Sequence, residues 1–285
     1  MAGIRLIRRR IKSAKNIAQI TKAMQMVAAS KMKRAQEIAV LGKPYADKIY
    51  QAVAELTQLS NISHHKLLSV PSLTSKTLVV LISTNKGLCG SLNTNLFRRC
   101  LGWFVPKEDY EFLTLGTKGA KFVLRTGYKL IADFSDKIPF NKHGGAVTDI
   151  VIDNFLKGYY KQVLIVYSAF INALNINPEK RVILPMSDLK FSLSEQEFPA
   201  EFLIEPSPKQ LLDSLLPHYL ETQIIAAILQ AEAAEHSSRM LAMKSATDNA
   251  LDLSGELTLI YNKLRQEQIT YEIADITRAQ LTLTS

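Results

Sequence analysis

Apolar residues near the start of the chain fall three or four apart: Ile4, Ile7, Ile11, Ala14, Ile17, Ile20, Met24 and Val27. That period predicts an α-helix with one apolar face. No proline precedes Pro44, so the helix is expected to fill residues 1–58, with a bend at Gly42-Lys43-Pro44. At the rise of an α-helix this is a rod of roughly 80 Å, longer than an ordinary globular helix and suited to a coiled coil or shaft.

The pattern changes over residues 75–195. Thr77 to Ser83 is a continuous apolar, β-branched run that reads as a buried strand, and Tyr110 to Leu115 and Gln162 to Tyr167 are similar. Helical stretches are expected at about 91–104, 117–126 and 145–158. The alternation predicts a small Rossmann-like α/β domain with a largely parallel sheet, and Arg181 to Pro185 an edge strand closed by proline. After Pro206-Ser207-Pro208 a second long helix is expected over residues 207–285, broken or kinked in its first turns by Pro217. Leu257, Ile260, Leu264, Ile269, Ile273 and Ile276 mark its apolar stripe. Between Ala231 and Ala250 small residues dominate, which lets a partner helix approach closely. The expected fold class is α/β: a long antiparallel coiled coil of the N- and C-terminal helices, with the 207–285 helix lying on residues 1–58, plus the central domain.

Charge sharpens this picture. The first 36 residues carry ten Lys or Arg and no acid, whereas Tyr219 to the end carries nine acids against five cations. The two rods are complementary in charge. The net charge of +9 favours acidic partners. The absence of aromatic residues before Tyr45 serves neither base stacking nor interfacial anchoring. No uncharged apolar run reaches the length of a membrane span, and no secretory signal pattern is present.

Candidate chemistry is sparse. Ser83-Thr84-Asn85-Lys86-Gly87-Leu88-Cys89-Gly90-Ser91 joins a strand to a helix, where phosphate-cradling loops occur. It lacks both GxxxxGK[ST] and GxGxxG, so a tight turn is the expected reading, with a nucleotide-binding enzyme as a competing one. Cys89 and Cys100 have no metal-ligand spacing, and no paired His marks Cys89 as a nucleophile. His64 and His65 read as a solvated pair in a loop. Met24, Met26, Met32, Met240 and Met243 read as adaptable seam packing. No catalytic, cofactor-binding or metal-binding residues are expected, and a basic coiled-coil adaptor for nucleic acid is the main alternative in another class.

Ile20-Thr21-Lys22-Ala23-Met24-Gln25-Met26-Val27-Ala28-Ala29-Ser30-Lys31-Met32, Asn85-Lys86-Gly87-Leu88-Cys89-Gly90 and Met243-Lys244-Ser245-Ala246-Thr247-Asp248-Asn249 resemble three motifs of the gamma subunits of rotary F-type ATP synthases. Ile269, Thr270, Glu272 and Asp275 match the family's C-terminal pattern, but Ala279-Gln280 stands where the family has Gly-Ala. The resemblance spans the chain and is weaker over 94–205. It implies a non-catalytic rotor shaft without cofactor, transmitting torque between a membrane c-ring and a hexamer of alpha and beta subunits. It further implies an epsilon subunit as partner, neither nucleic acid nor lipid insertion, and a peripheral place on the cytoplasmic face of the bacterial inner membrane. By position, Met24 would meet the beta lever, and Arg265 and Gln266 would catch an open beta subunit. Phe202, Leu203, Ile204 and Glu205 would form the foot on the c-ring; the family often has Tyr where Phe202 and Ile204 stand. Cys89 and Cys100 do not match the plant-type regulatory dithiol.

Overall fold

A computed structural model of the chain describes residues 2–59, 65–69, 74–136, 139–186, 205 and 207–283. Five helices and five strands follow one another: α1 (Ala2–Leu59), β1 (Thr77–Ile82), α2 (Leu92–Trp103), β2 (Tyr110–Leu115), α3 (Thr117–Thr126), β3 (Lys129–Asp133), α4 (Gly144–Leu156), β4 (Gln162–Phe170), β5 (Ile176–Leu184) and α5 (Pro208–Leu283). The described residues divide into two compact units, Met1–Ala28 with Arg239–Ser285, and Ala29–Ser238.

In the larger unit the strand order is β3-β2-β1-β4-β5. β1 pairs in parallel with both β2 and β4, β2 in parallel with β3, and β5 runs antiparallel to β4 at one edge. β5 ends before Pro185, as expected of an edge strand, but starts earlier than Arg181. β3 was not legible in the sequence; its alternate residues are exposed, and it is only five residues long.

β1 is buried on both faces, which is why it reads as an unbroken apolar run. Leu78, Val80 and Ile82 point into one core with Val147, Val151 and Phe155 of α4. Val79 and Leu81 point into the other, with Leu96 and Cys100 of α2 and Val123 of α3. The α4 side is completed by Ile49, Val53 and Leu56 of α1 and by Leu212, Leu216, Leu220, Ile224 and Ile228 of α5. The long helices are therefore part of the domain core as well as a coiled pair. Within this unit they run antiparallel, since Tyr45 meets His218 while Lys31 lies near Glu232.

Neither internal proline ends its helix. α1 continues through Pro44 and α5 through Pro217. A proline inside a helix costs about 3 kcal/mol. At Pro217 the flanking Leu216 and Leu220 are fully buried, and burying such side chains contributes about 1.5–3 kcal/mol each. α5 begins where its local signals say: Ser207 Oγ accepts the Gln210 N–H at 3.4 Å, and Pro208 occupies the first turn.

His65 is not solvated. Its Nδ1 accepts the Leu67 N–H at 3.1 Å, so Nε2 carries the proton and donates it to Asp213 of α5 at 2.8 Å. His64 lies outside the described residues.

At the N-terminal ends of the strands, buried Glu111 accepts from Tyr160 at 2.6 Å, Lys76 at 2.9 Å and Lys129 at 3.1 Å. Burial alone would raise its pKa, but these hydrogen bonds outweigh burial and lower it to about 2. The folded value lies below the unfolded one, so the stabilisation is full above the ordinary carboxylate pKa and is lost as pH falls through about 2. Glu111→Gln removes the buried charge that draws in the partly exposed ammonium groups of Lys76 and Lys129. It is expected to lower stability at pH 7 by about 1–3 kcal/mol. The loss should shrink as pH falls toward 3 in urea titrations.

Candidate functional site

The sheet end where α/β folds bind ligands and the surface of the helix pair are the first places to look for function.

Strand order reverses between β1 and β4, and ligands of open α/β sheets bind beyond the C-terminal ends of strands at such a point. That crevice is occupied by α5. Ile228, Ala231, Glu232 and Glu235 close over Ser83, Thr84, Asn93 and Ser168, leaving a cavity of about 10 Å³. A nucleotide-sized pocket needs several hundred. Burial and the neighbouring Glu235 raise the pKa of Glu232, against the opposing effect of Lys31.

The 83–91 loop is used up by its own packing. Ser83 Oγ accepts the Gly119 N–H at 2.7 Å and donates to Gly116 O at 3.1 Å. Asn85 Oδ1 accepts the Thr117 N–H at 2.8 Å, and its amide donates to Ser135 O at 2.9 Å. Asn93 donates to Thr84 Oγ1 at 2.7 Å, and Ser238 of α5 donates to Cys89 O at 2.7 Å. Leu88 and Gly90 have φ of 63° and 57°, which makes this a tight turn. Cys89 and Cys100 are both buried and not disulfide-bonded, and burial pushes the Cys100 thiol up to about 12. Among the described residues no cluster of His, Cys, Asp or Glu has the makings of a metal site, and no helix is long and apolar enough to cross a membrane.

The smaller unit shows an unusual division of its side chains. On α1 the covered or half-covered positions of the seam are Ile4, Ile7, Ile11, Ala14, Ala18, Thr21, Gln25 and Ala28; on α5 they are Met243, Thr247, Ala250, Ser254, Leu257, Tyr261, Leu264 and Gln268. Both series alternate steps of three and four, the signature of a supercoiled seam. Thr21 and Thr247 meet across it, their hydroxyls 2.7 Å apart. One hydroxyl donates to the other, and the second bonds back to its own helix, where Ile17 O and Met243 O stand within 2.9 Å.

The expected apolar face holds at Ile4, Ile7, Ile11 and Ala14 and at Leu257 and Leu264, which are covered or half-covered, and is corrected elsewhere. Ile17, Ile20 and Val27 are exposed, as are Ile260, Ile269, Ile273 and Ile276. Between Ala14 and Ala28 the seam instead takes the small residues, because backbones approach most closely where side chains are shortest; Ile4, Ile7 and Ile11 of α1 and Leu257, Tyr261 and Leu264 of α5 are larger. Of the methionines, Met243 is buried in the seam; Met24, Met32 and Met240 are half-buried and Met26 is exposed. Beyond Gln268 every described side chain of α5 is exposed. Ala28 is only 2% exposed. Ala28→Leu would force an isobutyl group into this closed contact and is expected to cost about 1–3 kcal/mol, read as a lower melting temperature of the helical signal.

Arg265 and Gln266 are exposed on α5, and Met24 is half-buried. The structure does not bring the three together by any hydrogen bond or ion pair among the described residues. Glu205 is exposed; Phe202, Leu203 and Ile204 lie outside the described residues. Sequence reading missed the exposed apolar residues as a functional surface. The available signal was two apolar series competing for one helix face.

A family profile described as "ATP synthase" matches residues 3–282. The ATP synthase gamma chain of Methylacidiphilum infernorum is 43% identical over 98% of this chain and 99% of its own. That of Dehalococcoides mccartyi is 40% identical over 97% of each chain. Among solved structures, a chain of the Tetrahymena thermophila mitochondrial ATP synthase central stalk and c-ring covers 80% of this chain and 99% of its own, at 26% identity and TM-score 0.59. A chain of the Euglena gracilis mitochondrial ATP synthase covers 99% of this chain and 95% of its own, with 19% identity and TM-score 0.68, a likeness of fold.

Proposed function

This chain belongs to the ATP synthase gamma-chain family and is a rotor subunit, and we propose that it turns as the central shaft between a membrane c-ring and a catalytic hexamer of alpha and beta subunits. The observation that carries this reading is the division of side chains in the smaller unit. Ala14, Ala18, Thr21 and Ala28 with Thr247, Ala250 and Ser254 close the middle of the seam, while Ile17, Ile20, Val27, Leu259 and Ile260 are exposed. Soluble chains rarely leave so many large apolar side chains uncovered unless a partner covers them. A sleeve of subunits around the pair would do so. Apolar contacts carry no fixed direction, so such a surface can slide past its sleeve without breaking an ion pair at each step.

In this reading the chain does no catalysis itself. The ligand crevice of its α/β domain is filled by α5. Arg265 and Gln266 stand exposed where a beta subunit would engage them, with Met24 on the other helix. Glu205, with the neighbouring Phe202, Leu203 and Ile204, would lie at the foot toward the c-ring, with an epsilon subunit alongside. The membrane face served would be the cytoplasmic one. The nucleic-acid adaptor finds no support among the relatives, which are gamma chains.

The test is co-expression of this chain, tagged, with the alpha and beta subunits of a related bacterial enzyme. An ATPase-active hexamer should be retained on the tag, while the isolated chain should show no heat of ATP binding in calorimetry. A hexamer that assembles and passes through unbound would refute the shaft reading. Saturable ATP binding by the isolated chain would refute the non-catalytic one.

A further inference from the structure

A second surface, unrelated to the helix pair, lies on the face of the sheet covered by α2 and α3. α2 and α3 contain no acidic residue, and they expose Arg98, Arg99, Lys118, Lys121 and Arg125. Among the described residues no carboxylate pairs with any of the five. A solvated helix surface ordinarily intersperses both signs, so five cations without a counter-charge leave a locally positive field.

This field is joined to a concave feature. Between α2 and the edge strand β5 runs a groove of about 600 Å³, lined by Arg98, Arg99, Gly102, Trp103 and Asn177. Lys180 of β5 lies over the Trp103 ring, 5.6 Å from its centroid, adding a third cation at the rim. Gly102 sits in the last turn of α2, where a Cβ would meet nothing within 4 Å. Its φ is not positive, and no close neighbour requires a glycine. In a helix glycine is less favourable than alanine by about 1 kcal/mol. Bare backbone at an open groove floor admits close approach by another chain.

We propose that this groove is a docking site for an acidic protein segment, an extended or helical stretch rich in Glu or Asp with apolar residues between them. Arg98 and Arg99 hold its carboxylates, Trp103 takes an apolar side chain, and the backbone comes closest over Gly102. A concave slot between a helix and a strand fits a chain, whereas a bilayer surface would engage a broad convex face. The inference is independent of the shaft, since it concerns another face of the α/β domain.

Trp103 is the only tryptophan of the chain, so its fluorescence reads the groove directly. The full chain is titrated with a synthetic peptide alternating Glu and Leu, with the Lys/Leu peptide as control, and separately with vesicles of anionic or zwitterionic phospholipid. The acidic peptide should shift the emission saturably and bind at least tenfold more weakly at 0.5 M salt than at 0.05 M. Arg98→Ala with Arg99→Ala should weaken it at least tenfold. Gly102→Leu keeps every charge and favours the helix, and should weaken it as much by filling the slot. Circular dichroism confirms that each variant is folded. Unchanged peptide binding in folded Gly102→Leu would overturn the groove, leaving a diffuse charge effect. Response to anionic vesicles without response to the peptide would overturn the protein partner in favour of a membrane surface. No response to either probe would overturn docking at this face.

Discussion

Gly116→Ala is expected to destabilise the α/β domain by on the order of 3–5 kcal/mol, among the largest losses a single substitution produces. Gly116 joins β2 to α3 with φ of 109°, a region closed to side-chain-bearing residues. A Cβ there would stand 2.2 Å from Ser83 O and 2.7 Å from Ser83 Oγ. Ser83 cannot yield, because its N–H donates to Leu115 O at 2.8 Å and its hydroxyl accepts the Gly119 N–H. The ends of β1 and β2 and the start of α3 would have to separate together. Gly127→Ala is the control: its φ of 77° is also left-handed, but a Cβ there meets nothing within 4 Å. Its cost is the conformational one alone, about 1–2 kcal/mol. Urea denaturation of the two variants should separate them clearly, and equal midpoints would show that the close approach is not rigid.

The second large effect falls on assembly rather than folding. Ile20 is 60% exposed and Ile260 48% exposed, on the two helices of the smaller unit. Both side chains are about half exposed or more, so Ile20→Asp with Ile260→Asp should change the chain's own stability by no more than about 1 kcal/mol. If a sleeve of alpha and beta subunits covers these positions, each aspartate is desolvated in an apolar contact. Loss of about 2–4 kcal/mol of binding is expected, roughly 30- to 1000-fold in affinity. Ala28→Leu should behave oppositely, losing stability in the free chain. Measured together, melting temperature and hexamer retention distinguish seam from bearing surface. Full retention of the hexamer by the double aspartate variant would place the bearing elsewhere.

Much of the fold was legible because local pattern and burial agree. The run of β1 is apolar from Leu78 to Ile82 and that of β4 from Val163 to Tyr167, as a sheet covered on both faces requires, and β2 departs from it only at Glu111 and Thr114. Gly116 and Gly127 punctuate α3, and its limits match the expected ones. At Pro217 local rules predict a break or a kink, and the helix does not break there. Leu212, Leu216, Leu220 and Ile224 are all fully buried on the same helix, and their packing outweighs one lost hydrogen bond and a ring clash. β3 was hidden by its position at the sheet edge, where half its residues face water and no apolar run can form.

The sequence by itself determined the long helices, the parallel α/β domain between them, the opposed charges of the two ends and the motifs that mark the family. These follow from periodicity and composition, which each stretch of chain carries locally. Only the tertiary structure decided which side of α1 is inside between Ala14 and Ala28. Along α1 the series Ile17, Ile20, Met24, Val27 and the series Ala14, Ala18, Thr21, Gln25, Ala28 both repeat at helical spacing, and hydropathy favours the first. The seam took the second, because a partner helix rich in Ala, Ser and Thr can approach closely only where the facing residues are also short. The larger residues were thereby left outside. Likewise, no local signal tells that the Ile228 to Glu235 stretch of α5 fills the crevice at the β1 and β4 ends. That contact joins β1 to residues some 150 positions away, and it is what leaves the crevice without room for a nucleotide.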